Sequence, residues 1–382
     1  MPRRRLAVVM PQASVRGGAE LCLLEVLRSP AGRSVDWHVL FLRDGPLVEQ
    51  VRETGATVAC FPIRRTRDAI RTLEVATAIA RHAKAHHCDA LVGWLSAGQV
   101  LAGLASLLGG PPNVWHQMGN PRKENALDRA AGWLPTRGIV VCSQGLADEQ
   151  RVLSPKAPMS VCHLGAQLDR FDPDQLPAPG VVRARLGLRT EGPWIGIVGR
   201  LQPWKGMHVL LDAAPAVRER HPNARFLIVG GPHDGDTSYP DALTEQARRL
   251  GIADHVTFAG PQDNIPEWMQ AMDVVVHASD NEPFGIVVVE AMALGKPLVA
   301  ADSGGPREML VAGEEGLLTP FGDAPRLADA IVRLLDDPEH AAAMGAAARR
   351  RSRQFSMTAY GARFLDQIAT FLGWAPIGAN PG

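Results

Sequence analysis

Short apolar runs alternate with amphipathic stretches along this chain, and that alternation restricts its fold more than any other feature. In the first half, apolar residues recur every three or four positions in stretches such as Ala69–Ala85 and Gln99–Leu108, which predicts helices. The strand-like runs between such stretches are Leu6–Met10, Val39–Leu42, Thr57–Phe61, Ala90–Val92, Asn113–Trp115, Ile139–Cys142 and Ser160–Cys162. Parallel strands need a crossover of about a dozen residues or more, usually a helix. The pattern therefore predicts parallel βα units.

A proline-rich break, Phe171–Gly180, interrupts this pattern and is typical of a linker. After it the strand-like runs resume as WIGIVGR, RFLIVGG, HVTFAG, DVVVHAS, KPLVAAD and EGLLTP, again separated by helical patterns. We therefore predict an α/β fold with two Rossmann-like, doubly wound parallel-sheet domains at residues 1–170 and 181–355. A last amphipathic stretch, residues 356–373, predicts a final helix.

Composition excludes several classes of function. No apolar run approaches the roughly 20 residues that a membrane helix needs. The formal net charge is zero, so nothing in the whole chain indicates a nucleic-acid partner, although residues 1–170 carry 21 basic and 14 acidic residues. The five cysteines are widely spaced and form no Cys-x-x-Cys pair, which favours reduced thiols in a cytoplasmic protein over disulfides or a metal site.

The segment EPFGIVVVEAMALGKPLVA, Glu282–Ala300, carries the strongest chemical signal. It follows a predicted strand, and its helix begins near Gly285 and Ile286, where unpaired backbone N–H groups favour a phosphate. Gly285 lets the backbone approach a ligand closely. Glu290 lies in an apolar helix, where a carboxylate kept only for solubility is unexpected. Together with Glu282 it predicts two acceptors for sugar hydroxyls beside an anion cradle.

Two cations follow the first strand of the second domain. Arg200 and Lys205 come after a strand and a glycine, so both are expected at the carboxyl edge of the sheet, where open α/β sheets bind ligands. Fixed cations there would neutralise a leaving diphosphate without a metal. The spacing of a metal-binding Asp-x-Asp occurs at Asp172-Pro173-Asp174, inside the predicted linker, and we interpret it as part of that linker.

Taken together, these motifs resemble the retaining family 4 glycosyltransferases of the GT-B fold. The resemblance rests on the two spaced glutamates, on GRLQPWKG (Gly199–Gly206), on GGPREMLVAGEEGLLTPFGD (Gly304–Asp323), on GGAE (Gly17–Glu20) and on CHLGAQLDRFDP. It covers the second domain strongly and the first more loosely. It implies two domains facing a central cleft, the donor held mainly by the second and the acceptor by the first, and a final helix that packs back on the first domain.

The same resemblance implies a role for individual residues. It implies that Glu282 binds the sugar hydroxyls and that Glu290 binds the ribose hydroxyls. It also implies that Gly285 and Ile286, with the preceding Phe284, contact the diphosphate or sugar. It places Gly17 and Gly18 in a loop that closes over the phosphates. It also matches His116 to a histidine near the donor sugar, with a role in polarity and orientation; the adjacent Gln117–Asn120 departs from the expected acidic residue. A catalytic set of Glu282, His116, Arg200 and Lys205 follows, with no cofactor and no obligatory metal.

The function predicted from the sequence is transfer of a sugar, with retention of configuration, from a nucleotide-sugar donor. The acceptor is left open as a glycan, a lipid-linked saccharide or a small-molecule aglycone. The alternatives are a sugar-nucleotide epimerase and a non-catalytic sugar-nucleotide-binding protein on the same fold. A basic surface predicts peripheral contact with an anionic membrane at its inner face; its residues are Arg64, Arg65, Arg67, Arg71, Arg81 and Lys84.

Overall fold

The structure is a computed structural model that describes residues 3–14, 18–63, 68–154, 156–232 and 235–377. The chain forms two compact units. The first consists of Met1–Gly165 together with Met357–Gly382, and the second is Ala166–Ser356. The boundary thus lies between Gly165 and Ala166, five residues before the end of the predicted first domain.

In its described part, the first unit contains one parallel sheet of seven strands in the order β3-β2-β1-β4-β5-β6-β7. The strands are β1 (Arg5–Met10), β2 (Asp36–Phe41), β3 (Thr57–Cys60), β4 (Ala90–Trp94), β5 (Asn113–Gln117), β6 (Ile139–Val141) and β7 (Met159–Val161). The helices are α1 (Gly18–Arg28), α2 (Leu47–Arg52), α3 (Ala69–Ala85), α4 (Leu95–Leu107), α5 (Ala126–Trp133) and α6 (Gln144–Leu153). Every strand-like run of the first half is confirmed: the runs in the middle of the sheet are buried, whereas the edge strands β3 and β7 are partly exposed.

The second unit repeats this plan over the residues that the structure describes, with six parallel strands in the order β10-β9-β8-β11-β12-β13. The strands are β8 (Trp194–Val198), β9 (Arg225–Val229), β10 (Val256–Gly260), β11 (Val274–His277), β12 (Leu298–Ala301) and β13 (Leu317–Thr319). The helices are α7 (Pro179–Arg185), α8 (Met207–Arg220), α9 (Ser238–Arg249), α10 (Ile265–Gln270), α11 (Ile286–Ala293), α12 (Pro306–Met309), α13 (Ala324–Asp336) and α14 (Pro338–Ser352). The strand order reverses between β8 and β11, so the predicted doubly wound fold is confirmed.

The predicted linker is wrong in one respect, because Phe171–Gly180 is not a free connection. Phe171 is buried, and the segment forms short 3-10 turns before α7 begins at Pro179. The guanidinium of Arg349 donates to both Asp172 and Asp174 at 2.7 Å. These ion pairs fix the segment to α14, and they give the two aspartates of the Asp-Pro-Asp sequence a structural partner.

The final helix, α15 (Met357–Leu372), belongs to the first unit. Gln367 accepts from the Ser160 hydroxyl at 2.8 Å and donates to the Val161 carbonyl at 2.7 Å, which joins the helix to the edge strand β7. Tyr360 and Phe364 are fully buried on its inner face. The helix therefore completes the core of a unit whose other elements end nearly two hundred residues earlier in the chain.

His116 lies inside that core, and this corrects its predicted position. It is the fourth residue of β5 and is completely buried. Its Nε2 lies 2.8 Å from the Tyr360 hydroxyl and its Nδ1 lies 3.2 Å from the Val140 carbonyl oxygen. Burial lowers the pKa of His116 to about 4, so the ring is neutral at pH 7. With both nitrogens engaged inside the protein, His116 joins β5 to α15 and this geometry does not support contact with a sugar.

We expect Tyr360→Phe to destabilise the first unit by about 1–3 kcal/mol, because it leaves a buried imidazole nitrogen without a partner. Tyr239→Phe is the matched control, since the Tyr239 hydroxyl also meets a histidine, His208 Nδ1, at 2.9 Å, but in a partly exposed position where water can replace it. Urea unfolding followed by fluorescence measures both losses. Equal losses in the two variants would contradict the structural role of His116.

Candidate active site

The candidate site lies at the carboxyl edge of the second sheet, where the strand order reverses. β8 and β11 are hydrogen-bonded neighbours there, so the segments that follow them leave the sheet side by side. The amide of Asp280 donates to the carbonyl of Trp204 at 2.7 Å and ties the two segments together. A crevice at such a reversal is the usual ligand position in open α/β sheets.

Gly206 makes this contact between the two segments close. It caps α8 in the left-handed region, with φ of 74°. A Cβ atom at this position would lie 1.9 Å from the carbonyl oxygen of Ala278, closer than any side chain can come. Only glycine fits here, and its absence of a side chain sets the distance between the segments after β8 and β11.

The result is a charged cluster around Glu282. The ammonium of Lys205 forms an ion pair with the Glu282 carboxylate, and the side chains are only 14% and 11% exposed. His277 Nε2 lies 3.3 Å from the same carboxylate oxygen and 3.3 Å from the Ser279 hydroxyl. The Trp204 ring lies under the Lys205 ammonium, at 4.1 Å from its centroid. Lys205 is therefore held between a carboxylate and an aromatic face.

The pKa of Glu282 reflects these partners. Burial opposes ionisation, but the hydrogen bond from His277 and the positive charge of Lys205 outweigh it and lower the pKa of Glu282 to about 2. The carboxylate is therefore ionised throughout the physiological pH range and can only accept hydrogen bonds. Acceptance from a hydroxyl is the chemistry that it offers to a ligand.

Glu290 has the opposite electrostatic environment. It is the fifth residue of α11 and is partly buried, and its carboxylate accepts no hydrogen bond from the described residues. Desolvation raises the pKa of Glu290 to about 7, and Arg170 offsets this only in part. Near neutral pH the carboxyl group is therefore divided between its protonated and ionised forms, with no protein donor to stabilise the charge.

The other predicted residues of the second unit are placed as follows. Gly285 caps α11 with φ of 99°, and Ile286 is the first residue of the helix, so the first N–H groups of α11 have no intrahelical acceptor. Arg200 is exposed just after β8. Phe284, predicted as a substrate contact, is buried, and its ring packs edge-on against Phe355 at 6.1 Å. Its side chain anchors the loop before α11, and the predicted substrate contact of Phe284 stays a prediction.

Sequence reasoning missed the role of His277. In the structure its imidazole is buried and directed at Glu282. Its position as the last residue of β11, at the carboxyl edge of the sheet, was the available signal.

Two sets of predicted residues belong to the first unit. Gly18 is the exposed first residue of α1, whereas Gly17 lies outside the described residues. Of the predicted basic surface, Arg71 pairs with Glu74 at 3.1 Å, while Arg81 and Lys84 are exposed. Arg64, Arg65 and Arg67 lie outside the described residues. No helix in the described parts of the chain is long and apolar enough to span a membrane.

Known proteins that are similar to this chain include glycosyltransferases. Residues 181–351 match the family model "Glycosyl transferases group 1". Relatives named D-inositol 3-phosphate glycosyltransferase include one from Corynebacterium urealyticum, 36% identical over 236 residues, covering 56% of each chain. Another, from Frankia alni, is 39% identical over 201 residues, or 51% of this chain and 49% of that protein. The chain thus aligns with about half the length of these curated relatives.

Solved structures match over nearly the whole chain. Anabaena HepE in complex with UDP and glucose has a TM-score of 0.83 and 26% identity, covering 96% of this chain and 100% of that chain. Sucrose-phosphate synthase from Thermosynechococcus elongatus has a TM-score of 0.79 at 20% identity, covers 97% of this chain and 100% of that chain, and supports the fold alone. The chain has the GT-B fold, and the resemblance inferred from the motifs is confirmed.

We expect Gly206→Ala to disrupt the charged cluster, because its Cβ would push the Ala278 carbonyl away and separate Lys205 from Glu282. Gly251→Ala is the matched control: Gly251 also has a positive φ, 66°, but a Cβ there meets nothing within 4 Å. The control should lose about 1 kcal/mol of stability from backbone strain alone, and Gly206→Ala clearly more. Urea unfolding measures both, and equal losses would contradict the close approach.

Glu290→Gln should remove a pH dependence of stability. Between the ordinary pKa of 4.5 and the folded value of about 7, the folded state binds more protons at Glu290 than the unfolded state, so stability falls as pH rises. Relative to the native chain, the variant should gain about 1–3 kcal/mol between pH 4.5 and pH 8. Urea unfolding at both pH values tests this, with the exposed Glu219→Gln as control. Parallel profiles for all three proteins would refute the raised pKa.

Proposed function

We propose that this chain is a glycosyltransferase that moves a sugar from a nucleotide-diphosphate-sugar donor to an acceptor hydroxyl. The observation that carries the proposal is the cluster of Lys205, Glu282 and His277 beside the N-terminus of α11, at the strand reversal of the second sheet. The crystal structures of Anabaena HepE with UDP and glucose, and with UDP-glucose, support a donor of this class.

In this proposal the cluster serves the donor as follows. The diphosphate binds at the first N–H groups of α11, near Gly285 and Ile286, and Lys205 and Arg200 neutralise its charge. Glu282, ionised at all physiological pH values, accepts from hydroxyls of the sugar. Glu290 accepts from hydroxyls of the ribose, and these donors would favour its ionised form.

The transfer step breaks the bond between the anomeric carbon and the diphosphate oxygen and forms a bond between that carbon and the acceptor oxygen. The acceptor hydroxyl gives its proton to the leaving diphosphate on the same face, which retains the anomeric configuration. Lys205 and Arg200 stabilise the developing negative charge on the diphosphate, so the proposal requires no metal. NMR of the product tests retention, and an inverted anomer would refute it.

The acceptor belongs to the same proposal. The relatives named D-inositol 3-phosphate glycosyltransferase make inositol 3-phosphate the first acceptor to test, ahead of a glycan, a lipid-linked saccharide of polysaccharide biosynthesis or a small aglycone. The rival function, a sugar-nucleotide epimerase or binding protein, would bind the donor but release no nucleoside diphosphate when an acceptor is added.

We also propose that the chain works in the cytoplasm in peripheral contact with an anionic membrane. Its described cysteines form no disulfide. The first turns of α3 support the membrane contact, because Ile70 and Leu73 are 75% and 50% exposed beside the exposed Arg71. Sedimentation with anionic vesicles at low salt tests it, and loss of binding in Ile70→Ser is the expected result.

Donor binding is tested by thermal shift with UDP-, GDP- and ADP-sugars, with and without EDTA. One of them should stabilise the protein, by about 2.7 kcal/mol at a hundred times Kd, and EDTA should leave that shift unchanged. Lys205→Ala should weaken binding about tenfold or more, because a charged hydrogen bond to the diphosphate is lost. Lys84→Ala, an exposed lysine of α3, is the control. A shift that disappears with EDTA would refute metal independence, and a shift indifferent to Lys205→Ala would refute the site.

A further inference from the structure

A cavity lies at the amino-terminal edge of the first sheet, where its strands begin. It has a volume of about 600 Å³ and is bordered by the starts of β1, β2 and β3, the 3-10 turn Gly32–Ser34 and the end of α3. Cavities of this size hold small molecules. The proposed donor site lies at a carboxyl edge in the other unit, so this cavity is a separate feature.

The cavity is lined mainly by positive charge. Arg3, Arg5 and Arg33 line it, and Asp36 is the only acidic residue among the lining residues. Asp36 lies 3.8 Å from a nitrogen of both Arg3 and Arg5, which is a long contact for an ion pair. Arg33 is exposed and forms no ion pair within the described parts of the chain. The three arginines and one aspartate that line the cavity therefore carry a net charge of +2.

Three imidazoles are packed together at the same place. His38 and His86 line the cavity, with ring centroids 4.9 Å apart, and His82 contacts both, with its Nε2 3.4 Å from Nδ1 of His38. Burial and the two neighbouring imidazoles lower the pKa of His82 to about 4. Burial, His86 and Arg5 lower the pKa of His38, against the opposing effect of Asp36.

Two of these histidines, His38 and His82, have lowered pKa values and are neutral at pH 7, so each can gain a positive charge. The groups facing them are Arg5 from β1, Asp36 from β2 and, against His82, the apolar ring of Phe61 after β3. An anion in the cavity would favour their protonation, because it supplies the negative charge that their surroundings lack. The described residues contain no group of three ligands placed to hold a metal ion, so an anion suits this cluster better than a cation.

We propose that this cavity binds a compact, multiply charged phosphate compound, held by Arg3, Arg5 and Arg33 next to the imidazoles of His38 and His86. The planar guanidinium donates two parallel hydrogen bonds to phosphate, which explains why arginine suits this ligand better than a single point charge would. The ligand is either a water-soluble phosphate or the phosphomonoester headgroup of a lipid, since the cavity recognises the chemistry that they share.

Isothermal titration with inorganic pyrophosphate tests the proposal. Pyrophosphate also resembles the diphosphate of a donor. The titration therefore uses the Lys205→Ala variant, in which the proposed donor site has lost one of its two cations. Adding Arg33→Gln should weaken binding about tenfold, whereas adding Arg129→Gln, an exposed arginine of α5 outside the cavity, should not change it. Arg33 is exposed and forms no ion pair with any described residue, so its variant is expected to keep the fold.

NMR gives a readout at the cavity itself. The imidazole C–H resonance of His86, assigned from its loss in His86→Gln, should move during the pyrophosphate titration and should stay in place in Arg33→Gln. An absence of binding at millimolar pyrophosphate and to phosphatidic acid vesicles would overturn the proposal. So would binding that Arg33→Gln leaves unchanged.

The two sources of the phosphate are separated by sedimentation with phosphatidic acid vesicles. Sedimentation that is weakened in Arg33→Gln and unchanged in Arg129→Gln supports a lipid headgroup. Pyrophosphate binding that depends on Arg33, without such sedimentation, supports a water-soluble ligand.

Discussion

The contact between the backbone of Gly206 and the carbonyl of Ala278 is the constraint on which the candidate site depends. It brings the segment after β8 against the segment after β11, and the hydrogen bond from Asp280 to Trp204 holds them there. Lys205 immediately precedes Gly206 in the chain, so the same close approach places its ammonium beside the carboxylate of Glu282. A side chain at position 206 would remove the contact and with it the ion pair.

The sequence predicted most of the fold, because buried parallel strands are apolar along their whole length and the helices between them are periodic. Helix α3 has its predicted bounds, Ala69–Ala85, whereas α4 begins at Leu95, four residues before the predicted start. Trp94 and Leu95 belong to an apolar run in which periodicity cannot separate the strand from the helix that follows. The ion pairs of Arg349 with the supposed linker are long-range contacts, which no local pattern encodes.

The two glutamates of one motif show why the site was less predictable than the fold. Glu282 and Glu290 are eight residues apart, yet the pKa of the first is lowered to about 2 and that of the second is raised to about 7. The difference comes from partners: Lys205 and His277 face Glu282, whereas only the distant charge of Arg170 opposes the desolvation of Glu290. Spacing in the sequence identifies the residues, but only tertiary contacts set their charge.

A buried polar group is informative about function when the protein leaves it unsatisfied. His116 has the residue type and strand position of a site residue, but Tyr360 and the Val140 carbonyl occupy both of its nitrogens, so it has nothing to offer a ligand. Glu290 is the converse, since its partly buried carboxylate accepts no hydrogen bond from the described residues and is costly to ionise. A ligand whose hydroxyl groups donate hydrogen bonds to Glu290 would offset that cost, and the gain would contribute to its binding free energy. Arg33 differs from both, because it is exposed; it forms no ion pair with the described residues, and we propose that it binds an anion at the amino-terminal edge of the first sheet.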